Sequence, residues 1–268
     1  MNADHQFYIG HDHKVCQDYA VSYANENGAF AIVCDGCSSS PDVDFGARAL
    51  ALSAKRTLGI GGADMNNELF GQVTIRNLEH IGDMVPLDPR SLDATLLATW
   101  VKGKDFTVQM YGDGCFFHKT ATTLRIVHVE FESNKPAYLS YYLDKVRLKE
   151  YQDTVLESKR VLDVSFYLGA DGIRDAIEVE TFLKPFDPVT FKGLVNEGDI
   201  LAVCSDGVGS FKKGGVEEIP WSVMAREFVD YKTTPGVFVQ RRLSWLKRQW
   251  TKDLISHYDD ISMAAISV

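Results

Sequence analysis

The chain has 268 residues, of which 45% are hydrophobic and 24% charged, and its 28 Lys and Arg against 37 Asp and Glu give a formal net charge of -9. This balance is typical of a globular domain and excludes the disordered, collagen-like and low-complexity classes. The acidic excess disfavours nucleic-acid binding, which usually needs a basic surface, and is compatible with a cation site built from carboxylates.

The first third of the chain alternates strand-like and helix-like patterns. Short strands are predicted at residues 6–9 and 19–23, and the apolar run at 29–34 is typical of a buried strand that enters a turn. A helix is predicted at residues 44–59, whose closing glycine can stop it, and a second helix at 65–84. We expect both helices to pack against a sheet.

From residue 93 to residue 130 the hydrophobic pattern changes to a period of two. Four alternating segments separated by tight turns predict a meander of antiparallel strands. Residues 131–197 are less regular. Further along, a buried strand is predicted at 200–204, a last strand at 261–268 and, between them, a helix at 237–250. Its basic side chains lie largely away from its apolar stripe, and we interpret them as a solvated face.

Acidic residues stand where several of these strands begin or end. They are Asp35-Gly36, Asp113-Gly114, Asp206-Gly207 and the pair Asp259-Asp260. A strand that leaves the core fixes its terminal residue firmly, and a following glycine allows a sharp turn and the close approach of a ligand.

A single Asp-Gly pair is most often only a turn, and we interpret Asp171-Gly172, which follows no clear strand, as a loop. Several carboxylates that converge repel one another unless cations neutralise them. Oxygen ligands suit Mg²⁺ or Mn²⁺ better than zinc. The pattern therefore favours a magnesium or manganese site where the strand ends meet.

In this order the motifs resemble those of the metal-dependent Ser/Thr protein phosphatases of type 2C, the PPM family, and in particular its bacterial or phage single-domain members. The resemblance spans residues 14–262 and includes further short motifs: Cys16-Gln17-Asp18, Asp93-Ala94-Thr95 and Ser205 before Asp206. It implies one α/β domain over residues 1–268, built as a four-layer sandwich of two antiparallel β-sheets flanked by helices on both sides. A variable, flap-like region is expected around residues 131–197.

The resemblance also implies a metal centre with two Mn²⁺ or Mg²⁺ ions. Asp35 is expected to bridge the two ions, with the carbonyl of Gly36 as a further ligand. Asp206 and Asp259 are expected to bind one ion of the pair, and Asp18 the other, through water. Asp35 and Asp206 are the residues expected to be central to catalysis.

Other positions are assigned by the same resemblance. Asp113, together with Asp206, matches a weaker third metal position, and Asp260 is expected to lie outside the coordination shell. The chain departs from the family pattern at its phosphate-binding arginine, whose place is taken by His13 beside Lys14. We expect one of these two side chains to contact the substrate phosphate.

The implied activity is hydrolysis of phosphoserine or phosphothreonine monoesters on proteins by a metal-activated water. The expected partners are a phosphoprotein substrate and a cognate Ser/Thr kinase, with no nucleic acid, and the chain is expected to be a monomer. Because residues around the site are altered, an inactive pseudophosphatase that regulates other proteins stays open. A hydrolase of small phosphate compounds and a nuclease also stay open, the last disfavoured by the acidic charge.

The five cysteines are too few and odd in number for a secreted disulfide scaffold, and residues 1–14 lack the pattern of a signal peptide. The apolar runs are too short to span a bilayer, so we expect a cytoplasmic protein with no membrane partner. Cys34 and Cys37 have the spacing of a redox or zinc motif, but no second cysteine pair accompanies them. His11 and His13 have the spacing of a transition-metal chelate, which we also disfavour.

Overall fold

The apolar runs and alternating segments of the sequence form strands that pair with antiparallel neighbours. The computed structural model describes residues 1–61, 67–131, 133–155, 158–169 and 172–268. Asp171, which the sequence assigns to a loop, lies outside the described residues, and so do the first two residues of the predicted second helix.

The elements are numbered in chain order. The strands are β1 (Asn2–Tyr8), β2 (Asp18–Asn25), β3 (Gly28–Asp35), β4 (Leu96–Lys102), β5 (Asp105–Tyr111), β6 (Gly114–Lys119), β7 (Thr123–Phe131), β8 (Lys159–Gly169), β9 (Gly172–Leu183), β10 (Val189–Leu194), β11 (Ile200–Cys204), β12 (Phe211–Lys213), β13 (Glu217–Glu218), β14 (Ile255–His257) and β15 (Ile261–Ser267). The α-helices are α1 (Val43–Gly61), α2 (Asn67–Met84), α3 (Lys145–Thr154), α4 (Trp221–Phe228) and α5 (Phe238–Lys252). Short 3-10 helices lie at Pro89–Leu92, Leu139–Leu143 and Asp206–Gly209.

Two large sheets contain most of the strands. One has seven strands in the order β1-β15-β11-β6-β7-β8-β9, and the other has five in the order β10-β5-β4-β3-β2. The register pairs Asp18 with Asp35 in the five-stranded sheet and Cys115 with Cys204 in the seven-stranded sheet. This register brings the beginning of β2 to the end of β3, and the beginning of β6 to the end of β11.

Three apolar clusters show how the sheets and helices stack. Val33 and Leu97 of the five-stranded sheet pack with Phe116 and Ala264 of the seven-stranded sheet in one cluster between the two sheets. Residues of α1 and α2 pack on the other face of the five-stranded sheet, and residues of α4 and α5 on the other face of the seven-stranded sheet. The antiparallel sheets and packed helices confirm the predicted α/β class, and the order helices, sheet, sheet, helices fits the expected four layers.

Two local predictions are wrong. Helix α1 continues to Gly61, so Gly59 does not end it. The segment 131–197 is more regular than its sequence indicates, because β8 and β9 form a long hairpin that extends the seven-stranded sheet and β10 pairs with β5. Apolar side chains of β9, such as Ile177 and Val179, are half exposed, and the hairpin therefore lacks the one-sided pattern of a half-buried strand. That this segment acts as a variable flap stays a prediction.

Helix packing leaves polar faces in solvent. Helix α5, for example, buries Leu243, Leu246 and Trp250 and exposes Lys247 and Arg248, as expected for a solvated basic face. None of the helices in the described ranges is both long and apolar enough to cross a bilayer.

Candidate metal centre

Four of the predicted site carboxylates lie at the same end of the two sheets. Asp35 is the last residue of β3, and Asp18, its register partner, is the first residue of β2. Asp113 directly precedes β6, and Asp206 follows β11, the strand that pairs with β6. Because antiparallel pairing places the start of one strand beside the end of its neighbour, these acids converge. The negative charge of Asp206 acts on both Asp35 and Asp113.

The backbone around Asp35 is held on both sides. The Asp35 N–H donates to the Thr95 hydroxyl (3.1 Å), and the Asp35 carbonyl accepts from the Thr95 N–H (2.8 Å). The Gly36 N–H donates to the Gln17 carbonyl (3.2 Å). A Cβ atom on Gly36 would lie 2.4 Å from the Val43 carbonyl oxygen at the start of α1, so only glycine allows this approach. These contacts explain why an Asp-Gly pair is needed at the end of β3.

Burial and mutual repulsion disfavour the charged form of all four carboxylates. Burial raises the pKa of Asp18 to about 7, although hydrogen bonds to this carboxylate oppose the rise. Burial and the charge of Asp259 raise the pKa of Asp206 to about 6. Burial and the charges of Asp18 and Asp206 raise the pKa of Asp35 well above its usual range, and burial with Asp206 does the same for Asp113. The carboxylates therefore need either protons or cations to coexist here.

The unsatisfied oxygens of the cluster fit divalent cations. Among the described residues, Asp18 Oδ1 and Asp206 Oδ1 are buried and have no hydrogen-bond partner, and both carboxyl groups lie within hydrogen-bonding range of Asp35. As the side chains stand, no three Asp, Glu, His or Cys residues within the described ranges are grouped closely enough to hold one ion. Mg²⁺ commonly keeps several waters and uses only one or two carboxylates, so this grouping is not required. The donor set suits Mg²⁺ or Mn²⁺.

Asp260 has a different environment from these four acids. It is buried, and its carboxylate accepts from the Gly10 N–H (Oδ1, 2.6 Å) and from the Gln17 N–H (Oδ2). A Cβ atom on Gly207 would lie 1.8 Å from the Asp260 carbonyl oxygen, so the turn after Asp206 packs directly on this residue. Asp260 thus ties the segment before β2 to the start of β15, and its oxygens are already occupied.

His13 lies between the two acids of the pair. Its Nδ1 is 3.0 Å from Asp260 Oδ1, and its Nε2 is 3.6 Å from Asp259 Oδ1. Burial lowers the pKa of His13, but the hydrogen bond to Asp260 and the charges of both acids outweigh burial and raise it overall. Lys14 is exposed. Both ring nitrogens of His13 therefore face carboxylates, whereas the ammonium of Lys14 is open to solvent.

The family follows from sequence comparison over this same region. The sequence model of the family described as Protein phosphatase 2C matches residues 10–218, which is more than half of the chain. The chain belongs to the protein phosphatase 2C family. The search of curated proteins found no match.

Solved structures of bacterial phosphatases resemble this protein phosphatase 2C chain over nearly its full length. Serine/threonine phosphatase Stp1 from Staphylococcus aureus is 13% identical, with a TM-score of 0.56 over 100% of this chain and 94% of that one. The S. agalactiae serine/threonine phosphatase is 16% identical, with a TM-score of 0.52 over 100% and 99%. The Mycobacterium tuberculosis phosphatase PstP/Ppp is 14% identical, with a TM-score of 0.51 over 98% and 97%. At these identities the likeness shows the fold alone.

Three hydroxyl groups of this protein phosphatase 2C chain support the acids without having been assigned a role from sequence. The Ser205 hydroxyl donates to Asp18 Oδ2 (2.7 Å), and Thr95 holds the backbone of Asp35 as described above. The Ser210 hydroxyl accepts from the Asp259 N–H (3.1 Å) and donates to the Gly207 carbonyl (2.8 Å). Each of these residues lies within or beside one of the sequence motifs, and this position is the only sequence feature that could have indicated its supporting role.

Proposed function

We propose that this chain hydrolyses phosphoserine and phosphothreonine monoesters on proteins with two Mn²⁺ or Mg²⁺ ions as cofactors. The observation that supports the proposal best is the pair of buried, unsatisfied oxygens, Asp18 Oδ1 and Asp206 Oδ1, beside Asp35. A structural cluster of acids would satisfy such oxygens with N–H or O–H donors, as Asp260 does.

We assign the cations to the residues that the fold brings together. Asp35 would bind both ions, and the Gly36 carbonyl would be a further ligand. Asp206 and Asp259 would bind one ion of the pair, and Asp18 the other, through water. Asp113 with Asp206 would form a weaker third position. When bound, the ions lower the pKa of water to give a nucleophile at neutral pH and neutralise charge on the phosphoryl oxygens.

The chain's own residues orient these ligands. Ser205 donates to one oxygen of Asp18 and leaves the other free for a ligand or its water. Ser210 holds the backbone N–H of Asp259 and so fixes where this half-exposed carboxylate emerges from the turn. Hydrogen-bonded supporting groups of this kind set the direction of metal ligands.

We assign the substrate phosphate contact to Lys14 rather than to His13. Both ring nitrogens of His13 face Asp259 and Asp260, whereas the exposed ammonium of Lys14 is free to turn towards a phosphate. Lys binds phosphate through a single charged ammonium and lacks the two parallel N–H donors of Arg. Its contact therefore fixes the orientation of the phosphate less well.

The activity requires a phosphoprotein that a Ser/Thr kinase has produced, and we propose these as the partners of a monomer. A panel of phosphoserine and phosphothreonine peptides, with p-nitrophenyl phosphate and nucleotides for comparison, tests the substrate class. Hydrolysis of the peptides at higher kcat/KM than the small phosphates is the expected result. Hydrolysis of the small phosphates alone would identify a small-molecule hydrolase. Mn²⁺ binding without turnover of any substrate would identify a pseudophosphatase.

A further inference from the structure

A groove of about 890 Å³ opens beside the candidate metal centre. Its lining includes the acids Asp113, Asp206 and Asp259, side chains of β7, β8 and β9, and Trp221 at the start of α4. Clefts of this volume are typical of ligand sites. A substrate residue held at the metal carboxylates would therefore have its chain neighbours in or near this groove.

The hairpin of β8 and β9 builds the floor of the groove. Glu130, Arg160 and Phe182 lie side by side across the three strands, and the next row places His128 and Glu180 on the same face. Neighbouring strands are about 4.8 Å apart, so β9 lies about 14 Å across the sheet from β6, which Asp113 precedes. An extended peptide covers that distance in about four residues.

The floor and rim of the groove are acidic. Glu130, Glu180 and Glu218 line it, and their side chains are 41%, 43% and 82% exposed. Arg160 contacts Glu130 (Nη1 to Oε2, 3.2 Å) and Glu180, and Lys212 lies 3.7 Å from Glu218 Oε1. Among the described residues these three carboxylates thus face two cations, and all three side chains are at least 41% exposed.

His128 adds an observation that is independent of the acids. The side chain is 7% exposed and packs against Trp221, with 4.4 Å between ring centroids. Its Nδ1 is buried and makes no hydrogen bond with the residues that the structure describes, although Glu130 Oε1 is 3.2 Å away. Burial lowers the pKa of His128 to about 4, so the ring is neutral at pH 7. The ring lines the groove, and its Nδ1 is open to a partner that the described residues do not supply.

We propose that this groove binds an arginine side chain of the substrate, about two to four residues away from the phosphorylated residue. The inference rests on the proposed phosphatase function and names its substrate class. A guanidinium offers five N–H donors, pairs with carboxylates and stacks on aromatic faces, and the groove presents carboxylates beside the rings of Trp221 and Phe182.

Pairs of phosphoserine peptides, with Arg or Ala at each position two to four residues before or after the phosphoserine, test the inference in the full-length protein with Mn²⁺. We expect kcat/KM to favour the best Arg peptide by about fivefold at low salt, as an exposed to half-buried ion pair allows. Glu180→Lys should remove this preference, because it replaces an attracting charge by a repelling one. Arg160→Gln should raise the preference about twofold, because it removes the cation that competes for Glu130 and Glu180.

Glu26→Lys is the matched control, since it makes the same charge change in the exposed turn between β2 and β3. Equal kcat/KM for the Arg and Ala peptides with the native chain, or an equal loss of preference in Glu26→Lys, would overturn the inference. If no peptide and no p-nitrophenyl phosphate is hydrolysed, the phosphatase proposal fails. The groove is then judged from the affinities of the same labelled peptides by fluorescence anisotropy. Tighter binding of the Arg peptide that Glu180→Lys abolishes supports the groove, and equal affinities contradict it.

Discussion

Two groups of acids lie at the same end of the molecule, and they differ in how their oxygens are satisfied. Asp260 accepts two backbone N–H groups and contacts His13, so its charge is used to hold the chain together. Asp18 and Asp206 each keep a buried oxygen that has no hydrogen-bond partner in the part of the chain that the structure describes. An acid in a motif is therefore a candidate ligand only where the fold supplies no other hydrogen-bond partner for its oxygens.

The largest expected effect is the loss of activity when Asp35 loses its charge. Asp35→Asn should lower kcat for a phosphopeptide about a hundredfold or more, since losing a key charge-stabilising group costs about 3 kcal/mol. Asp4→Asn makes the same change at a buried carboxylate that accepts from the Gln240 N–H, away from the centre. Similar losses in both variants would mean that Asp35 has only a structural role.

The adjacent acids Asp259 and Asp260 should separate activity from stability. Asp260→Asn should lower the free energy of unfolding by about 2 kcal/mol, because an amide cannot accept from both the Gly10 and Gln17 N–H groups. Asp259→Asn should change stability little, since its side chain is 40% exposed, but should lower kcat. Thermal unfolding and phosphopeptide kinetics on both variants check this. The reverse pattern would assign Asp260 to the metal.

The raised pKa values predict how the metal-free protein responds to pH. For Asp18 and Asp206 the folded-state pKa values, about 7 and about 6, lie above the unfolded value of about 4. The folded state therefore holds more protons in this window, and the stability from these groups, complete below about pH 4, is lost as pH rises to about 7. In EDTA, Asp18→Asn should weaken this loss of melting temperature between pH 5 and 8, and Mn²⁺ should offset it in the native chain. If neither Asp18→Asn nor Mn²⁺ changes the pH dependence of the melting temperature, the proposed repulsion between these acids is contradicted.

The smallest expected effect concerns the substrate phosphate. Lys14→Ala should raise KM for a phosphopeptide by about threefold to tenfold, in line with the loss of about 1 kcal/mol from one hydrogen-bonded contact at an exposed site. His13→Gln should change KM less, because its ring already faces Asp259 and Asp260. A rise in KM only in the His13 variant would reverse the assignment. If KM changes in neither variant, the metal ions alone bind the substrate phosphate.

Much of the fold can be predicted from sequence because buried strands are encoded locally. The apolar runs before Asp35 and Asp206 end at a glycine that the packing requires, as the close approach of Gly36 to Val43 shows. The acids of the candidate metal centre can also be recognised in the sequence, since each follows or precedes such an apolar run. The strand pairing that brings these acids together, such as the register of Asp18 with Asp35, depends on contacts between different segments and cannot be read from either segment alone.

The hairpin of β8 and β9 could not be predicted in the same way. Ile177 and Val179 of the edge strand β9 are about half exposed and alternate with Glu178 and Glu180, which are exposed as well, so no buried face marks the strand. Its strand structure depends on pairing with β8 rather than on its own pattern. The orientation of His13 towards Asp259 and Asp260 was missed for a related reason, because partners 246 and 247 residues away leave no local signal.

Metal-dependent turnover tests the central claim most directly. The native chain, stripped with EDTA and titrated with Mn²⁺ and then Mg²⁺, should hydrolyse a phosphoserine peptide only when a divalent ion is present. Excess EDTA should abolish the restored rate. Full turnover in EDTA would contradict the claim that Asp18, Asp35 and Asp206 are gathered to hold catalytic cations.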